Sequence, residues 1–254
     1  MNPQSRKKLL KILPYIFIVG LGIATALPIL APILLRLGFV NISKAIYTFY
    51  SFLCHQKSSR SIHIFDHQYA LCARDTFIYL SLFETALLSY KLKLKSLHWK
   101  WVVVATIPIA VNGGWQLISQ ILAMQTGHTN LPVGYAETTN MWRMITGTIF
   151  ATGFGLYLFP SFFADIREAL ETNENKKKES RWTKLLFKDT RLFFIWILLL
   201  NFIIYAFMGY VWRITSPTYP PSGIIDNVSR IPGYNYEENG RGDHAVYFLT
   251  PKNF

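Results

Sequence analysis

Five long apolar blocks punctuate the chain. The first, Ile12 to Leu35, contains no charged residue and is interrupted only by Pro14, Pro28, Pro32 and small residues. At roughly 1.5 Å per residue it can cross a hydrocarbon core about 30 Å thick. It also exceeds the apolar stretch of about 7 to 15 residues found in a secretory signal, so the pattern predicts an uncleaved transmembrane helix. Four further blocks qualify: Thr76 to Tyr90, Trp101 to Met124, Trp142 to Ala164, and Leu192 to Trp212. The second is short and carries Glu84. Between the first two blocks, Phe39 to Leu53 mixes Asn41 and Lys44 with aromatic residues, which predicts an interfacial helix rather than a span.

Composition agrees with this pattern. Only 16% of residues are charged and 51% are hydrophobic, against about a quarter charged in a soluble domain. The formal net charge of +12 raises the question of nucleic acid, but the placement of the basic residues answers it. Arg6, Lys7, Lys8 and Lys11 precede the first block, and Lys91, Lys93, Lys95 and Lys100 separate the second from the third. Arg167, Lys176, Lys177, Lys178, Arg181, Lys184, Lys188 and Arg191 follow the fourth. With the N-terminus inside, these three segments share the cytoplasmic side and hold most of the 26 lysines and arginines, as the positive-inside rule requires. The expectation is an all-α, integral membrane helical bundle of five transmembrane helices, N-in and C-out. It is a multi-pass protein of the cell membrane whose partner is the lipid bilayer and not nucleic acid.

Four regions follow from the same reading. Residues 1–164 form a membrane core with an outer loop at 54–75. Residues 165–191 form a basic cytoplasmic linker that touches anionic lipid heads. Residues 192–212 are the last transmembrane helix, and 213–254 an extracytoplasmic tail. That tail is rich in proline and glycine and lacks cysteine. It is too short to bury a core of its own, so its Tyr219, Tyr234, Tyr236, Tyr247 and Phe248 are expected to dock on the bundle or on other membrane subunits.

The candidate chemistry is concentrated in the outer loop. Both cysteines of the chain lie there, in Cys54-His55-Gln56 and Cys72-Ala73-Arg74-Asp75, with Arg60 and His67 between them. Three readings stand. A Cys54–Cys72 disulfide would contribute roughly 3 kcal/mol by closing a loop of this size. Alternatively, Cys54, His55, His67, Cys72 and Asp75 could hold zinc or another transition metal, since zinc accepts sulfur, nitrogen and oxygen ligands. In the third, the cysteines are buried structural thiols. Within the spans, Asn112, Gln116 and Gln120 share one helical face. Gly113 and Gly114 beside them permit close approach of another helix. Arg143, Thr146 and Gly147 form a stripe at the outer end of the fourth span, and Glu84 lies deep in the second. An ionisable residue at that depth calls for a function and a partner, and Arg143 is a candidate partner that would have to reach inward.

At these positions the chain resembles a family of small bacterial and archaeal polytopic membrane proteins with no assigned activity. The family pattern runs Cys-His-Gln, Arg-Ser, a histidine, and Cys-Ala-Arg-Cys-Thr-Gly-Ile-Tyr. It continues with Asp-Gly-x-x-Gln, Thr-Asn and Arg-x-x-Thr-Gly. The matching residues are Cys54-His55-Gln56, Arg60-Ser61, His67, Cys72-Ala73-Arg74, Thr76, Ile78-Tyr79, Gly113, Gln116, Thr139-Asn140, Arg143 and Thr146-Gly147. Three positions depart from it: Asp75 replaces a cysteine, Phe77 a glycine, and Asn112 an aspartate. The resemblance covers roughly residues 50 to 160 and implies a membrane bundle with a site at these positions, but no reaction.

Two functional classes are therefore carried forward. One is a binding or accessory membrane protein, a subunit of a larger complex, with a polar site at its outer face. The other is a membrane enzyme or metal-handling or redox protein using Cys54, His55, His67 and Cys72, in which Arg60, Arg74 and Arg143 receive an anionic ligand beside Glu84, Asn112 and Gln116. A small-solute transporter is a third reading, weakened by the absence of an internal repeat.

Overall fold

In the computed structural model, residues 2–56, 60–125, 138–171 and 190–216 are described. The elements are α1 (Pro3–Arg36), α2 (Val40–Ser51), β1 (Ser61–Ile64), β2 (His67–Cys72), α3 (Ala73–Leu92), α4 (Trp99–Gln125), α5 (Asn140–Glu171) and α6 (Thr190–Thr215). The linker from 172 to 189, the tail from 217 and the side chain of Gln120 lie outside the described residues.

Four helices, α1, α4, α5 and α6, are long and apolar enough to cross a membrane. Their exposed faces carry Ile16, Val19, Val104, Ile107, Leu199 and Ile203, the surface that lipid covers. The chain is thus an all-α, multi-pass membrane bundle. α3 is different. Its 20 residues would span about 30 Å, yet Ser81, Glu84, Thr85 and Ser89 are all buried. It lies at the centre of the bundle, wrapped by its neighbours, and therefore lacks the apolar surface that lipid demands of the outer helices.

The helices alternate in direction. Gly22 of α1 faces Phe83 and Tyr15 packs on Tyr90 at 5.5 Å, so α1 runs antiparallel to α3. Phe77 contacts Tyr205 at 5.9 Å and Glu84 pairs with Asn201, so α6 is antiparallel as well. Gly147 faces Arg74 and Ile78 while Gly155 faces Thr85, which sets α5 parallel to α3. Alternation gathers Cys54, the hairpin, Arg74, Asn140 and Ser216 at one end of the bundle.

Helix prolines serve as docking points. A proline releases the carbonyl four residues before it, and the fold supplies new donors. Ala24, four before Pro28, accepts from the Tyr50 hydroxyl at 2.9 Å. Leu156, four before Pro160, accepts from the Leu97 N–H at 2.9 Å. The first contact anchors α2 across α1, and the second anchors the α3–α4 connection on α5.

The outer loop is not irregular throughout. β1 and β2 pair antiparallel with His63 opposite Gln68 and Ile64 opposite His67. The two-residue loop Phe65-Asp66 has φ of 54° and 61°, as a type I′ hairpin requires. Ser216 at the end of α6 holds the turn, its Oγ accepting from the Asp66 N–H at 2.7 Å. His63 lies 5.2 Å from the Trp212 ring.

Gln56 locks the hairpin to α2. Its Nε2 donates to the Tyr47 carbonyl at 2.8 Å and to the Ala70 carbonyl at 3.0 Å. Gln68 returns a bond to the Gln56 carbonyl at 2.6 Å, and the Tyr47 hydroxyl donates to the Gln68 carbonyl. The motif glutamine therefore has a structural part. We expect Gln56→Leu, which leaves buried carbonyls without these donors, to destabilise the protein by about 1 to 3 kcal/mol. Thermal unfolding in detergent measures this, and an unchanged transition would mean that packing alone holds the hairpin.

Candidate functional site

The two cysteines meet because one ends a helix–turn and the other begins a helix. Cys54 follows α2, its N–H bonded to the Tyr50 carbonyl at 2.9 Å, and packs in a core with Ala31, Leu35, Tyr50 and Leu71. Cys72 ends β2 and is the N-cap of α3, with extended backbone. Its N–H donates to Cys54 Sγ at 3.3 Å. Its own Sγ accepts from the Asp75 N–H at 3.5 Å, and the thiol donates to the Asp75 carboxylate at 3.2 Å. Cys54 Sγ, Cys72 Sγ and an Asp75 carboxylate oxygen thus all lie within 4.8 Å of one another. Both cysteines are free thiols.

The thiol of Cys72 is pushed well up, first by its hydrogen bond with Cys54, then by burial and the Asp75 carboxylate. Without a cation the S–H form is favoured, and ligation of a metal would release its proton. Three groups that can each become anionic are crowded here, which is the arrangement a bound cation would stabilise.

The other sequence-derived ligands do not join this cluster. His55 is exposed and His67 half-buried, with His67 lowered by burial. Among the described residues the metal-sized group comprises Cys54, Cys72 and Asp75. His63, which the sequence reading passed over, is buried against Trp212 and pushed down to about 3 by that burial, so it is neutral. Arg60 is half-buried ahead of β1.

Arg74, the second residue of the same helix, points the other way. Its guanidinium donates to Asn112 Oδ1 of α4, which also lies 3.5 Å from the Thr138 hydroxyl. A side chain at Gly113 would meet the Arg74 guanidinium at 3.3 Å, so this glycine makes room for it. Gln116 is buried on the same helix. Arg143 is buried in α5 and donates to Asn140 Oδ1 at 2.8 Å, which makes it part of the bundle interior.

Glu84 takes its hydrogen bond from Asn201 Nδ2 of α6 at 2.6 Å. This corrects the expectation of Arg143 as partner: Glu84 is near the middle of α3, and Arg143 lies in the first turn of α5 at the hairpin end. The signal that could have found Asn201 was present, since it is the one amide within the apolar run from Leu192 to Trp212.

Residues 54–157 match the family described as "Predicted membrane protein (DUF2085)". An uncharacterized protein of Methanocaldococcus jannaschii, MJ1492, is 35% identical over 144 residues, covering 53% of this chain and 82% of that protein. The chain belongs to this family. No solved structure matches it. The DUF2085 match begins at Cys54 and contains Cys72, Arg74, Asp75, Glu84, Asn112 and Arg143, whereas Asn201 lies beyond it.

We expect Asn112→Asp to give Arg74 a charge-assisted bond and to raise stability by about 1 kcal/mol. Thermal unfolding in the same detergent reads the change. A lower transition would mean that the desolvation of a second charge outweighs the pairing.

Proposed function

We propose that this protein is a membrane binding protein for a divalent transition-metal cation of the zinc class, held by Cys54, Cys72 and Asp75. The observation that carries the reading is the convergence of the three ligand atoms within 4.8 Å. Two thiolates and a carboxylate suit zinc in donor type. They also leave it one ligand short of its usual four, as befits a site that exchanges its ion or takes a further ligand. In the family pattern quoted above, position 75 is a cysteine. Replacing it by aspartate changes the donor from sulfur to oxygen and keeps a ligand at the third position of the helix.

The positive-inside distribution of Lys and Arg supports an extracytoplasmic site and C-terminus. A role as a subunit of a complex would draw on the aromatic residues after 216.

Titration with zinc against a chromophoric chelator tests the reading. The reduced protein in detergent should take up one equivalent, and protein whose two thiols have been alkylated should take up none. Equal uptake by both would remove the cysteines from the site and the proposal with them.

A further inference from the structure

A second, independent feature lies deeper in the bundle. Besides Arg143 in the first turn of α5, Glu84 is the one Asp, Glu, Lys, Arg or His in the apolar runs 12–35, 76–90, 101–124, 142–164 and 192–212. It is buried, and so is its partner Asn201. The bond between them runs from an amide N–H to the carboxyl, and Asn201 also donates to the Ile197 carbonyl at 3.0 Å. Among the described residues, α6 offers this carboxyl the neutral amide of Asn201 and, a turn on, Tyr205, which feels the charge of Arg143 from the first turn of α5.

An ionised carboxylate so placed would be costly, and such a group neutralises by taking up a proton or a counter-ion. A single neutral amide donor does not replace a counter-charge. The surroundings are polar but incompletely bonded. Asn201 Oδ1 is buried without a partner, and the hydroxyls of Thr76, Ser81 and Ser89 on α3 and of Thr148 and Thr152 on α5 are likewise unpartnered. A helical Ser or Thr ordinarily bonds the carbonyl one turn back, as Thr85 does to Ser81 at 2.7 Å. These five hydroxyls do not; Ser81 and Ser89 share the α3 face on which Thr85 meets Gly155 of α5, and Thr148 and Thr152 lie on α5 itself.

We propose that Glu84 with Asn201 is a proton-binding site at the centre of the membrane bundle, whose proton exchanges with solvent along the hydroxyl-bearing α3–α5 seam. The ligand class is a proton. The proposal does not depend on the metal site, which lies at the end of the bundle and shares no residue with it.

Infrared difference spectroscopy of the full chain in lipid, comparing the native protein with Glu84→Gln, reads the carboxyl directly. The expected result is a protonated-carboxyl C=O band that persists at about pH 6, above the ordinary glutamic acid range. The band should be absent from Glu84→Gln, shift on transfer to D2O, and remain in high sodium. A carboxylate band in its place would overturn the proposal. Loss of the C=O band on adding sodium would reassign the site to an alkali cation, and a band that does not shift in D2O would refute exchange along the seam. Asn201→Leu gives a second check, since the C=O band should persist and move in frequency as its hydrogen bond is lost. An unmoved band would overturn the pairing.

Discussion

Cys72→Ser is expected to lower zinc affinity by at least about a hundredfold while leaving the fold intact. Loss of an outer partner of a metal ligand typically reduces affinity by about 10- to 100-fold, and loss of a ligand itself should reach or exceed the upper end. The choice of serine separates the two roles of this residue. Cys72 caps α3 through the Asp75 N–H, and serine is a preferred N-cap, so helix α3 should start where it does now. Asp75→Cys should have the opposite effect, tightening zinc by supplying a third sulfur. Competition titration measures both. If Cys72→Ser binds zinc as the native protein does, the site is not metal-binding, and a correctly folded variant leaves no other explanation.

The second large effect concerns α3 and α5. A Cβ at Gly147 would lie 2.7 Å from the Arg74 carbonyl oxygen, and one at Gly155 would overlap the Thr85 side chain. The first neighbour is backbone and cannot turn aside. Gly147→Val and Gly155→Val should therefore force the central helix away from its closest partner. Overpacking commonly destabilises by about 1 to 3 kcal/mol for small additions, and a valine against backbone should reach the top of that range or prevent folding. Gly114→Ala is the control, because nothing lies within 4 Å of a Cβ there. Denaturation in detergent, or yield of monodisperse protein, reads the difference. Equal behaviour of Gly114→Ala and Gly155→Val would mean that the two helices are not in close contact.

The hydrophobic pattern was enough to find the outer helices, because lipid demands an apolar surface of each. It was weakest at α3 for the same reason reversed: a helix sheathed by protein can carry Ser81, Glu84 and Ser89 and still cross the bundle. The interfacial helix expected over Phe39 to Leu53 is α2. The hairpin was not anticipated, since its turn is Phe65-Asp66 instead of an Asn-Gly pair, and tertiary bonds from Ser216 and Gln56 hold what local propensity does not.

At the site, the closeness of Cys54, Cys72 and Asp75 was legible from the two cysteines sharing one short loop, with Asp75 three residues after Cys72. Which histidines would join them was not, because ring placement depends on how the hairpin folds. The pairing of Arg74 with Asn112 was not foreshadowed, although each residue was singled out in its own segment. Nor was that of Glu84 with Asn201, because a contact between residues 117 positions apart leaves no trace in local pattern.

The central claim is a cation held by two sulfurs and a carboxylate. X-ray absorption at the zinc edge, on protein loaded with one equivalent in lipid or detergent, tests it most directly. The account predicts two sulfur neighbours at about 2.3 Å with the remaining coordination from lighter atoms, and one sulfur in Cys72→Ser if any zinc remains. A shell of nitrogen and oxygen alone would contradict it.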